Sequence, residues 1–166
     1  MVIRSVANQY VARLGTSGTL ESHMVEITLL GGLVGGLVAT IVMTVFMTTL
    51  GDDAPPPTAL FVSKYLGDGK PSEYMMPGMA LHILYGIGAG IVLTVLLPLA
   101  GVGDIELLTA VGIGVGYGFV LFVGAAAFWM NVVLGLEPEG KAVGMFLFFH
   151  LTYGVVLGGV LGAGVV

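Results

Sequence analysis

The chain has 166 residues, of which 57% are hydrophobic and only 9% charged, with a net charge of −5. A soluble domain carries about a quarter charged residues because it must wet its surface; this chain has too few, so its apolar atoms must face lipid. The absence of cysteine excludes disulfides, thiol catalysis and Cys-ligated zinc or iron–sulfur centres, and no basic stripe points to nucleic acid.

Residues 1–24 read as an N-terminal extension in which Arg4 and Arg13 flank a weak apolar pattern. No apolar core of about 7–15 residues follows these charges, so the segment is not a signal peptide. A short surface helix and a start at Met24 both remain open. The transmembrane domain is predicted over 25–166. It holds four apolar segments: Ile27 to Leu50, Met79 to Leu99, Leu107 to Leu134, and Val143 to Val166. Each meets the ~20-residue requirement for crossing the hydrocarbon layer, and none contains Asp, Glu, Lys or Arg. Continuously apolar runs favour helices over barrel strands, which alternate over about 10 residues. The predicted fold is therefore all-α, a four-helix transmembrane bundle, and the predicted location is the cell membrane as a multi-pass protein. The 28 glycines suit close approach of membrane helices.

The first linker, Gly51 to Gly78, is the long one. It carries Pro55-Pro56-Pro57 and then an amphipathic stretch from Thr58 to Leu66. This predicts an interfacial helix with Leu60, Phe61, Tyr65 and Leu66 against the membrane and Ser63 and Lys64 toward water. An ordered loop over the bundle mouth is the alternative. The other linkers, Gly101 to Glu106 and Gly135 to Ala142, are tight turns. Two arginines on one side against Lys64, Lys70 and Lys141 on the other leave the orientation open. A start at Met24 would favour cytoplasmic first and third linkers.

An internal repeat organises the four segments. His82-x-x-Tyr85-Gly86-x-x-x-Gly90 in the second recurs as His150-x-x-Tyr153-Gly154-x-x-x-Gly158 in the fourth. Gly32 and Gly36 in the first segment are matched with Gly112 and Gly116 in the third. The chain thus reads as two repeated helical hairpins that enter the membrane from the same side. In each motif, residues at i, i+3, i+4 and i+8 share one helix face. The glycines are expected to pack helices together, and the polar rings to lie inside the bundle. The first segment has a similar stripe of Gly32, Gly36, Thr40, Thr44 and Thr48. The third has Gly112, Gly116, Val120, Gly124 and Phe128.

At about 1.5 Å per residue, both histidines fall in the same half of the bilayer, together with Thr44, Thr48, Trp129 and Asn131. These residues define an expected interior polar site of His82, Tyr85, His150, Tyr153, Thr44, Thr48 and Asn131. Three readings compete for it. The histidines can fix helix register by hydrogen bonding to neighbouring helices. They can form a binding or proton-handling site, since imidazole titrates near neutrality. They can also be the axial ligands of a b-type haem, which would make the chain an electron carrier. No basic residue lies near them for haem propionates, and no carboxylate within the spans completes another metal site. The sequence has no Ser/His/Asp set, paired carboxylates or phosphate loop, so nothing points to enzymatic activity. A transporter or channel subunit would need a homo-oligomer or a membrane partner, because four helices form a narrow bundle. From the repeat alone, replacing either histidine with Ala should disturb the bundle similarly.

Gly36-Leu-Val-Ala-Thr40-Ile-Val-Met43-Thr44, His82-x-x-Tyr85-Gly86 and His150-Leu-Thr-Tyr153-Gly154-Val-Val-Leu-Gly158 together resemble an uncharacterised prokaryotic family of small four-helix membrane proteins, YagU-like in pattern. The resemblance covers roughly Leu30 to Gly162. It implies a four-helix fold and a prokaryotic cell membrane, and it implies no reaction.

Overall fold

The structure, a computed structural model, describes residues 24–51, 54–137 and 139–165. The N-terminal extension lies outside these residues apart from Met24. Four helices are long and apolar enough to cross a membrane. They are α1 (Leu29–Leu50), α3 (Met75–Leu99), α4 (Leu107–Gly124) with its continuation, and α5 (Gly140–Ala163). A short helix α2 (Pro57–Tyr65) and a 3-10 turn (Pro71–Tyr74) fill the long linker. Two short strands, β1 (Val25–Glu26) and β2 (Asp104–Ile105), pair antiparallel, with Val25 opposite Ile105 and Glu26 opposite Asp104. The fold is all-α as expected, with this one small clasp added.

Local chemistry sets several helix ends. The Thr28 hydroxyl accepts from the Gly31 N–H at 2.8 Å and caps α1. Pro57 occupies the first turn of α2, where its missing N–H costs nothing. Beyond Gly124 the third span continues as a π-helix from Ala125 to Leu134. Gly135, with φ of 67°, ends it in the left-handed region. Ten residues of π-helix are unusual, since such geometry is normally a single-turn bulge and frequently marks a functional site.

Lipid cannot drive helices together by hydrophobicity, because it is as apolar as they are. Backbone-to-backbone proximity does so here. On α1 and α3, Gly32 and Gly36 meet Gly86 and Gly90: a Cβ on Gly36 would stand 2.7 Å from the Gly86 carbonyl oxygen, and one on Gly90 would stand 2.8 Å from the Gly36 Cα. The second hairpin repeats this contact. Gly114 and Gly118 of α4 lie against the backbone of Gly154, Gly158 and His150 on α5, and Gly158 also meets Ala110 and Val111. The two hairpins then join through α1 and α5, where Leu157 and Val160 pack over Gly35. No comparably extensive contact joins α3 to α4. Leu93, Leu97, Leu157 and Leu161 fill the core toward the β1–β2 end.

One expectation for the third segment is corrected. Gly112 and Gly116 are exposed and face open space. With Val120, Gly124 and Phe128, also exposed, they form an outward stripe. The interface uses Ala110, Gly114 and Gly118 instead. The matching positions are therefore Gly32 with Ala110 and Gly36 with Gly114, two residues away from the match suggested by sequence. At about 100° per residue, two residues carry a side chain to nearly the opposite face of a helix.

Substitution separates the two stripes. Gly90→Ala should lower stability by about 1–3 kcal/mol, because the added methyl meets backbone that cannot give way. Gly116→Ala should leave stability unchanged or slightly raised. Thermal unfolding in detergent, followed by the fluorescence of the single tryptophan, checks both.

Candidate functional site

The half of the bundle nearest α2 is not filled. A cavity of about 140 Å³ lies there, with walls that are mostly carbon. α1 contributes Thr40, Met43 and Met47; α3 contributes His82, Tyr85 and Ala89; α4 and its π-helical continuation contribute Leu121, Ala125 and Trp129; α5 contributes Phe146, His150 and Tyr153. Pro56, Pro57, Thr58 and Phe61, at the start of α2, close the wall on the linker side. The histidines stand about 10 Å and about 15 Å along their helices from the α2 side, which puts both in that half of the bilayer.

α2 is held in place by contacts that local sequence does not announce. The Lys64 ammonium donates to the Val133 and Leu134 carbonyls at 3.0 and 3.2 Å, and the Tyr65 hydroxyl donates to the Val133 carbonyl at 2.6 Å. A cation at unpaired helix-terminal carbonyls also opposes the helix dipole. Phe61 meets Trp129 edge to face with centroids 5.1 Å apart. Ala59 and Val62 are the buried residues of α2, and Ala59 lies directly on Gly78 of α3. Of the residues expected against the membrane, Phe61 turns instead to the bundle, whereas Tyr65 and Leu66 are exposed, as a membrane-facing position requires; Lys64 caps a neighbouring helix end. The segment is both a helix and a cover over the bundle mouth.

The two repeated motifs differ in detail. His150 is buried, and its Nδ1 lies 2.8 Å from the Phe146 carbonyl. A carbonyl only accepts, so Nδ1 carries the proton and Nε2 of the neutral ring is left as an acceptor. Stacked edge contacts with Phe146 and Phe122 fix the ring plane. His82 has a buried Nε2 with no hydrogen-bond partner among the described residues, and Thr58 Oγ1 is in the same condition. The Tyr153 hydroxyl donates to the Gly86 carbonyl at 2.6 Å, tying α5 to α3. Tyr85, its counterpart in the repeat, makes no hydrogen bond among the described residues and is 40% exposed. Tyr117, which the sequence reading did not single out, donates to the Ala89 carbonyl at 2.8 Å and bridges α4 to α3 just below the cavity.

Of the expected interior polar site, His82, Tyr85, His150 and Tyr153 line this same cavity. Thr44, Thr48 and Asn131 do not. Thr48 is exposed and donates to the carbonyls of Thr44 and Val45 on its own helix, Asn131 is exposed on the π-helical segment, and the buried Thr44 hydroxyl has no partner among the described residues. Thr40 replaces them, with its hydroxyl donating to the Gly36 carbonyl at 2.6 Å. No cluster of three His, Asp or Glu residues able to hold a metal occurs among the described residues.

Compared with protein-family models, with curated proteins and with solved structures, the chain has no match.

The inequivalent motifs yield two measurable differences. Tyr153→Phe should cost about 0.5–1.5 kcal/mol by removing an interhelical hydrogen bond, whereas Tyr85→Phe should cost nothing detectable. His150→Ala should lower the unfolding temperature more than His82→Ala, against the equality expected from the repeat. Thermal melts of the four variants in one detergent check both statements.

Proposed function

We propose that this multi-pass membrane protein is a small binding module, YagU-like in kind, whose interior site between His82 and His150 takes one ring-sized molecule bearing a hydroxyl. The observation that carries the reading is a cavity lined by His82 and Thr58, whose buried imidazole nitrogen and hydroxyl both lack partners among the described residues. Each such orphan costs about 1–3 kcal/mol until something bonds to it. His150 Nδ1 and the Tyr153 hydroxyl are paired within the bundle, whereas His82 Nε2 and Thr58 Oγ1, on residues that line the cavity, are not.

Size and chemistry narrow the ligand. A dry apolar cavity of about 150 Å³ accepts benzene, and the cavity here is about 140 Å³. Drug-sized ligands occupy pockets of about 300–1,000 Å³. A haem is larger still, so bis-histidine ligation would require the helices around His82 and His150 to part. The site suits an aromatic or cyclic molecule with a group that donates to His150 Nε2.

Phenol is a suitable probe. Saturating phenol should raise the unfolding temperature, with a stabilisation of about 2.7 kcal/mol at 100 times Kd, and should alter Trp129 emission, because that ring lines the cavity. His82→Phe, which fills the space and removes the orphan nitrogen, should abolish both effects. If phenol, catechol and indole all leave the melt and the emission of the parent protein unchanged, the binding reading fails.

A further inference from the structure

We propose that the occupant of this cavity is the hydroxylated ring head of a membrane-dissolved amphiphile, an alkylphenol or alkylhydroquinone, which enters sideways between α3 and α4 with its tail left in the bilayer. The inference rests on the binding reading above and adds the source of the ligand and its path.

Three observations support it. First, the aqueous side is closed: α2 lies over the cavity, held by Lys64 and Tyr65 to the end of the third span, by Phe61 to Trp129, and by Ala59 to Gly78. Secondly, the lateral side is not closed in the same way. α1 packs on α3 and α5, and α5 on α4, whereas α3 and α4 are joined below the cavity by the Tyr117 hydroxyl on the Ala89 carbonyl. Toward α2 from that bond, the cavity itself separates the two helices: Leu81, His82 and Tyr85 of α3 line one side, and Leu121, Ala125 and Trp129 of the third span line the other. Tyr85 both lines the cavity and is exposed, so its ring stands where the cavity reaches the surface. That surface lies within the hydrocarbon layer, because Tyr85 is well inside an apolar span. Thirdly, the polar atoms suit a hydroxyl-bearing ring. His150 Nε2 accepts, the Tyr85 hydroxyl has both roles free among the described residues, and His82 Nε2 lacks a partner. A hydrocarbon chain alone would leave all three unsatisfied. A charged headgroup would be stranded in a low-dielectric space with no counter-charge, because none of the four spans carries Asp, Glu, Lys or Arg within its apolar segment.

The test uses the full chain in nanodiscs with an alkylhydroquinone that carries a photoreactive group in its tail. Labelling should be saturable, competed by the same molecule without the photogroup, and confined to exposed residues of α3 and the third span on the α2 side of the Tyr117–Ala89 bond, such as Leu84 and Phe128. Labelling on the far face of α1, at Ile41 and Val45, should not be competed. His82→Leu should reduce the competed labelling at least tenfold while its thermal melt stays at or above the parent value, since an unpaired buried nitrogen is removed, which shows that the variant is folded. A tailed alkylbenzene without hydroxyls should give no competed labelling. Competed labelling on α2 instead of α3 and α4 would overturn lateral access. Equal competed labelling by the alkylbenzene would overturn the hydroxyl requirement. Absence of any competed labelling, with phenol still shifting the melt, would sink this inference and leave the binding reading standing. Failure of phenol as well would remove both.

Discussion

Everything in this bundle depends on backbone meeting backbone at glycine. In water, the expulsion of apolar surface would hold such helices together; in lipid that force is absent, and short contact distance must supply the attraction. The α1–α3 and α4–α5 pairs reach it with the same device, a pair of glycines or small residues on each helix that removes the side chains from the crossing. The close crossings lie along the middle and the β1–β2 end of each pair. The remaining length is free to part around larger rings, and the cavity occupies that part.

The four spans are plain in the sequence, because an uncharged apolar run of this length has few other fates. The inward face of α1 is legible through Thr40, since glycine recurs there every four residues. The inward face of α4 is not. From Gly112 to Gly118 a glycine stands at every second position, so two opposite stripes look equally suited to close approach. What separates them is the partner: Gly114 and Gly118 oppose Gly154 and the His150 backbone, a relation set by the α4–α5 pairing and invisible locally. The His-Tyr-Gly motifs did mark residues that line the cavity, because each carries polar rings and small residues on one face.

The threonines and Asn131 show the limit of placing residues by depth alone. Thr48 and Asn131 lie in the same half of the bilayer as the histidines, yet both are exposed. Depth fixes one coordinate, and rotation about the helix axis decides the rest. The π-helical turn compounds the difficulty. Ala125-Ala126-Ala127 is as good an α-helical sequence as exists, and nothing local predicts wider winding. Its end is engaged by Lys64 and Tyr65, and its Trp129 by Phe61, all more than sixty residues away in sequence.

The clasp of β1 with β2 and the cavity sit at opposite ends of the molecule. Two ladder residues on each strand, the Ile27 N–H donating to the Gly103 carbonyl, and Val25 against Gly164 gather the chain at one membrane face. Such a body has uneven stiffness along the membrane normal: a fulcrum in one leaflet and jaws in the other. Lateral pressure in the two leaflets therefore acts on it differently. Squeezing the leaflet that holds the jaws narrows the space between the histidines, while the same squeeze on the fulcrum leaves it as it was.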